Sequence, residues 1–154
     1  MYDVSTIDVT RPLLDRAKIA TILPHRGTMA LLDGIAVLNA AEMLVVGWMD
    51  VPADAFWTPG HFPGTPLLPG VLLVEASAQL SLVGYKTVEP SIADRLVVFG
   101  GIDDVRFRGA VRPGDRVFLI AKMTETTRRG ARCSTQGVVA GRLVYEGEVF
   151  AVVT

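Results

Sequence analysis

Few residues in this 154-residue chain can move a proton, and they are unevenly placed. There are two histidines, His25 and His61. His61 stands in Gly60-His61-Phe62-Pro63-Gly64, within a stretch from 52 to 70 that carries five prolines and three glycines. Proline fixes φ and glycine frees it, so the stretch reads as an ordered loop. Loops held on a rigid scaffold are common seats for catalytic side chains. Glu75 follows in the middle of GVLLVEASAQLSLVGYK, residues 70–86, the greasiest segment of the chain. A glutamate is almost never fully buried unless paired. In apolar surroundings its carboxyl holds a proton closer to neutral pH and becomes a usable acid. An imidazole base and a carboxyl acid are the two halves of a proton-transfer pair. The plainer alternative is a Glu75 that faces water along one wet helix edge. Leu72, Ser77, Ala78 and Gln79 supply no continuous charged face to support it. His25, in Leu23-Pro24-His25-Arg26-Gly27, lies just past a helical segment and reads as a turn or capping group.

The helix of residues 70–86 opens at Gly70, directly after Pro69. Helix N-termini present unpaired N–H groups and the positive end of a dipole, and glycine there lets a ligand approach. A base, an acid and an oxyanion-binding N–H are expected to meet at one spot. Gln79, one turn after Glu75, either orients it or makes a simple core polar contact. No metal site is expected: the histidines are far apart and form no cluster with other ligands. Cys133 is the only cysteine, which excludes an intramolecular disulfide and a thiolate zinc site. The chain has no P-loop or dinucleotide fingerprint, and Gly100-Gly101 reads as a turn or bulge.

The elements that must position these groups follow from periodicity. Thr10-Arg11-Pro12 reads as a helix start, with Leu13, Leu14, Ala17 and Thr21 at helical spacing and Pro24 as the stop. Residues 43–50 read as a strand. The segment 70–86 is apolar on every side, as a helix buried on most faces would be. After Pro90 the pattern turns to period two, and 96–101, 105–111, 116–124, 131–140 and 143–153 read as strands. Pro113-Gly114-Asp115 and Glu146-Gly147 supply turn or bulge chemistry. One buried helix followed by a run of strands gives an α+β fold with an antiparallel sheet packed around that helix. The length fits one domain spanning residues 1–154, with about residues 1–10 as an N-terminal extension.

Composition narrows the function classes. A net charge of −1 argues against a nucleic-acid partner. The longest apolar stretch, near 66–85, is interrupted by Glu75 and Gln79 and falls short of the ~20 residues of a membrane span. Residues 1–10 lack the basic start and apolar run of a secretory signal. With a lone cysteine, these features point to the cytoplasm.

At the residues quoted above the sequence becomes recognisable. GHFPGTPLLPGVLLVEASAQ, residues 60–79, closely resembles the signature of the FabZ-type (3R)-3-hydroxyacyl-[acyl-carrier-protein] dehydratase family. ILPHRGTMALLDGI, residues 22–35, resembles that family's LPHR segment, and FGGIDDVRFRGAVRPGD, residues 99–115, its GID…RF…PGD segment. Order and spacing agree across residues 11–153. The resemblance implies the hotdog fold, a long central helix wrapped by a curved antiparallel β-sheet. It implies that His61 and Glu75 are the catalytic pair, contributed by different subunits of a homodimer. Such dimers commonly assemble as trimers. Gly70, Phe62, Pro69 and Gln79 would surround the substrate. The related dehydratase-isomerases carry aspartate at the helix position, so Glu75 points to dehydration without isomerisation. Two departures stand out. Gly27-Thr28-Met29 replaces an aromatic-proline-aromatic run, and Gly34 follows Asp33 where arginine is common.

The implied substrate is a 3-hydroxyacyl thioester on the phosphopantetheine arm of acyl carrier protein, in fatty-acid or related lipid or polyketide synthesis. No other cofactor is implied. Carrier proteins are acidic, and residues 106–132 hold eight basic residues against Asp115 and Glu125. Arg106, Arg108, Arg128, Arg129 and Arg132 are the candidate docking residues. The plain alternative is that they are outward, solvated strand positions. Two rival functions share the fold: a hotdog acyl thioesterase, and a non-catalytic acyl-binding subunit. An intact His61/Glu75 pair argues against the second.

Overall fold

The computed structural model describes residues 2–154; Met1, part of the expected N-terminal extension, lies outside the described residues. The long helix α2 runs from Gly70 to Val88. It buries Leu73, Ala76, Leu80 and Val83 in one cluster with sheet residues Val45, Val117, Leu119 and Ala121. It is buried almost without interruption from Gln79 to Tyr85, as its all-round apolar character requires.

Seven strands form one antiparallel sheet: β1 (Leu14–Asp15), β2 (Gly34–Asn39), β3 (Leu44–Asp50), β4 (Val97–Phe107), β5 (Arg116–Thr126), β6 (Gly130–Val139) and β7 (Arg142–Val153). Their order is β1-β2-β3-β5-β6-β7-β4. The helix lies across β3, β5, β6 and β7. On the sheet's other face Val4 packs with Val46, Ile120 and Val138, so residues near the N-terminus cover part of that face.

Three features depart from the sequence reading. The first helix, α1, is Arg16–Ile22 and begins well after Pro12. Asp15 is its N-cap, accepting a hydrogen bond from the Lys18 N–H, while the Leu13 N–H bonds to the Ile35 carbonyl and draws the preceding residues into the sheet. Residues 96–101 and 105–111 are not two strands. Val97–Phe107 is one strand whose register shifts at Phe99/Gly101 and Asp103/Arg106, and pairing ends at Phe107. Strand β2 has no counterpart in the sequence reading. Its Gly34 stands opposite Trp48, and a Cβ at Gly34 would lie 2.9 Å or less from three carbons of that indole. Any side chain there collides with the ring, so glycine in place of the usual arginine goes with Trp48 lying over the strand.

Candidate active site

The segment from Pro52 to Pro69 contains no helix or strand, and short backbone bonds close it. The His61 N–H donates to the Trp57 carbonyl at 2.9 Å, and the Leu67 N–H donates to the His61 carbonyl at 2.7 Å. Leu68 N–H to the Val111 carbonyl, 2.8 Å, ties the loop to the segment after β4. Gly64 sits at φ +74°, a left-handed conformation that a side chain would strain. The imidazole Nδ1 of His61 lies 2.8 Å from the Leu67 carbonyl oxygen. A carbonyl only accepts, so Nδ1 carries the proton and, in the neutral ring, Nε2 is left with its lone pair. The ring of Phe62 stacks on it at 4.1 Å and is otherwise exposed.

Pro69 is the N-cap residue of α2 and makes no side-chain cap. Among the described residues the Gly70 N–H has no backbone acceptor. A Cβ at Gly70 would lie 2.7 Å from the Phe107 ring, so this position is closed to larger residues.

Glu75 projects from the second turn of α2 with its side chain 28% exposed. It is not in purely apolar surroundings. Its Oε1 accepts from Gln79 Nε2 at 2.8 Å and lies 3.4 Å from His25 Nε2. Gln79 is fixed on its other sides: Nε2 also donates to the Met29 carbonyl at 2.8 Å, and its Oε1 accepts from the Leu31 N–H at 3.2 Å. Gln79 therefore bridges the helix and the 29–31 segment while also contacting Glu75. His25 is the residue the sequence reading set aside. It faces Glu75 across fifty residues of chain, a separation at which no local pattern could have paired them.

Beside Glu75 a narrow cleft runs between the helix and the sheet. Its helix side includes Glu75, Ala78, Leu82 and Tyr85 at helical spacing, together with Gln79 and Ser81, and Val97 and Phe99 of β4 also line it. From Glu75 to Tyr85 the helix rises on the order of 15 Å. The Tyr85 hydroxyl donates to the Thr127 carbonyl at 2.5 Å at the inner end. Cys133 also lines the cleft, and burial pushes its thiol up to about 11. His61 does not line it, and within one chain the expected acid and base make no contact among the described residues.

The candidate docking arginines divide. Arg108 is paired with Glu146, and Arg132 with Glu148 at 2.5 Å while lying over the Phe150 ring. Arg106, Arg128 and Arg129 have no acidic partner among the described residues. Arg106 opposes Glu146 on β7, whereas Arg128 and Arg129 adjoin Gly130, which opposes Val152. Those β7 positions are six residues apart, on the order of 20 Å. No group of three or more possible metal ligands occurs among the described residues, and no described helix is long and apolar enough to cross a membrane.

A long helix wrapped by an antiparallel sheet, with a carboxyl lining a mainly apolar cleft along that helix, defines a hotdog-fold protein. The fold is shared at a TM-score of 0.73 with the dehydratase heterocomplex ApeI:P from Xenorhabdus doucetiae, at 20% identity over 88% of this chain and 90% of that one. Residues 23–148 match the FabA-like domain, and the chain belongs to this family. It is 40% identical over 142 residues to the 3-hydroxyacyl-[acyl-carrier-protein] dehydratase FabZ of Syntrophobacter fumaroxidans, covering 91% of this chain and 94% of that protein. It is 38% identical to the enzyme of the same name from Clostridioides difficile, covering 92% and 99%.

Proposed function

We propose that the protein is a hydro-lyase that eliminates water from a (3R)-3-hydroxyacyl thioester on acyl carrier protein, giving the trans-2-enoyl thioester. The observation that carries this reading is Glu75 lining a mainly apolar cleft, in a chain 40% identical to a named dehydratase over nearly its whole length. The acyl chain lies along the helix stripe, and the thioester carbonyl accepts a hydrogen bond from the Gly70 N–H as enolate charge develops. His61 Nε2 takes the C2 proton, the C2–C3 double bond forms and the C3–O bond breaks. The Glu75 carboxyl protonates the departing hydroxyl, which leaves as water. The two groups end with their proton states exchanged and reset through solvent. Phe62 and Pro69 bound the thioester end.

Because His61 and Glu75 do not meet within one chain, the pair forms between two copies. Strand β4 is the outer strand of the sheet, eleven residues long, with Val98, Phe99, Ile102 and Phe107 all exposed. An unpaired apolar edge of that length is a template for a second strand, and a two-fold pairing of β4 with itself buries it. The reading requires this pairing to bring the cleft, which β4 lines, to the partner subunit that supplies the base. The resemblance adds assembly of three such dimers. The free arginines 106, 128 and 129 steer the acidic carrier, at two separate places.

The test is turnover of 3-hydroxyacyl thioesters by Glu75→Gln and His61→Ala. Each should lose about 10²–10⁴-fold in kcat. Near-normal water loss by either overturns the assignment, and release of free thiol by the unaltered protein marks the thioesterase alternative.

A further inference from the structure

The hydrogen-bond pattern around Glu75 constrains more than its position. Oε1 lies within reach of two nitrogens, Gln79 Nε2 at 2.8 Å and His25 Nε2 at 3.4 Å. The amide orientation of Gln79 is fixed independently. Its oxygen must face the Leu31 N–H, and its nitrogen must face the Met29 carbonyl. Gln79 therefore presents an N–H to Glu75. The His25 ring is constrained in the same way. Its Nδ1 is buried and has no hydrogen-bond partner among the described residues. A proton on Nδ1 would be a buried donor without an acceptor, which costs more than an unused lone pair. The ring proton belongs on Nε2, the atom that faces Glu75.

One N–H, from Gln79, is thus hydrogen-bonded to Oε1, and the His25 Nε2 stands 3.4 Å from the same oxygen. An oxygen that accepts from one N–H and faces a second ring nitrogen is poorly placed to carry a hydroxyl proton of its own. Among the described residues Oε2 has no hydrogen-bond partner. We propose that His25 is a positioning residue: with Gln79 it holds Oε1 as the acceptor oxygen, so that the proton Glu75 delivers is carried on Oε2 and faces the cleft. This inference rests on the reading of Glu75 as the acid. The two histidines then have opposite tautomers, His61 with its proton on Nδ1 and His25 with its proton on Nε2.

Two measurements test it. In the unaltered protein, imidazole ¹⁵N spectra at neutral pH should show the His25 Nε2 as the protonated nitrogen and His61 as the reverse. A proton on His25 Nδ1 overturns the proposal without any variant. Substitutions give the second test, because glutamine places its amide nitrogen where Nε2 stood and asparagine places it near Nδ1. His25→Ala and His25→Asn should lower kcat about tenfold, the worth of one hydrogen bond to a reacting carboxyl, with KM little changed. His25→Gln should recover to within about twofold of the unaltered protein. Equal kcat for the asparagine and glutamine variants, or no loss in any of the three, overturns the role of His25. Glu75→Gln run beside them separates the two questions. Retained turnover there removes the acid assignment itself, whereas its loss with unaffected His25 variants removes only this proposal.

Discussion

The two residues proposed to handle protons are only fourteen positions apart, yet they are secured in different ways. His61 is held by the backbone of its own loop, through the Leu67 carbonyl. Glu75 is held by side chains, through Gln79 and His25, and thereby by the segment between α1 and β2. The loop side is assembled locally from prolines and glycines. The helix side is assembled from residues about fifty positions apart. The difference also concerns completeness. Glu75 Oε1 is anchored by side chains of its own chain, while the Nε2 of His61 has no hydrogen-bond partner among the described residues. An acid needs its proton aimed, and that takes distant anchors. A base on a loop needs only its tautomer fixed, and one carbonyl does that.

Substitutions can break this contrast, beginning with the largest effect. His61→Ala should cost about 10²–10⁴-fold in kcat with little change in thermal stability, because its ring is not part of the core. A large fall in Tm would show that the loop depends on the ring. Gln79→Leu should act on both activity and folding. It leaves the Leu31 N–H and the Met29 carbonyl unpaired, each costing about 1–3 kcal/mol, and a denaturant midpoint unchanged from the parent would contradict the bridge. Gly34→Ala should destabilise by about 1–3 kcal/mol through overpacking against Trp48, with kcat of the folded enzyme unchanged; Trp48→Leu in the same chain should relieve it.

The smallest effect concerns Cys133. Burial raises its thiol from 9.0 to about 11, so the folded state keeps a proton that the unfolded chain loses first. Its contribution to stability is present below pH 9 and declines as pH rises through that window. Alkylation by iodoacetamide at pH 8 should require unfolding; rapid labelling of the native protein would contradict it.

Much of this was legible in the residues. The helix 70–88 announced itself by being apolar on every side, and the strands after Pro90 by alternation. The HFPG loop and Glu75 stood out because proline, glycine and a lone carboxylate are conspicuous there. Strand β2 was missed because GIAVLN is apolar without alternating, and both of its ends carry turn-type residues. The first helix was placed early because Pro12 competes with Asp15 as a start signal, and the sheet bond from Leu13 decides for Asp15. The pairing of His25 with Glu75 depends on how the chain folds back on itself, which no spacing along the sequence encodes. The arginine cluster shows the same limit: charge counted along the chain does not reveal that Glu146 and Glu148 pair with Arg108 and Arg132 across the strands.

The central claim is that one chain supplies the base and another the acid, and mixing two inactive variants tests it most directly. His61→Ala and Glu75→Gln proteins are unfolded together, refolded as a mixture and assayed on a 3-hydroxyacyl thioester. Half of the randomly formed dimers are mixed and each contains one intact site, so the mixture should recover about a quarter of the unaltered activity. A mixture that assembles but stays as inactive as its components would contradict the account.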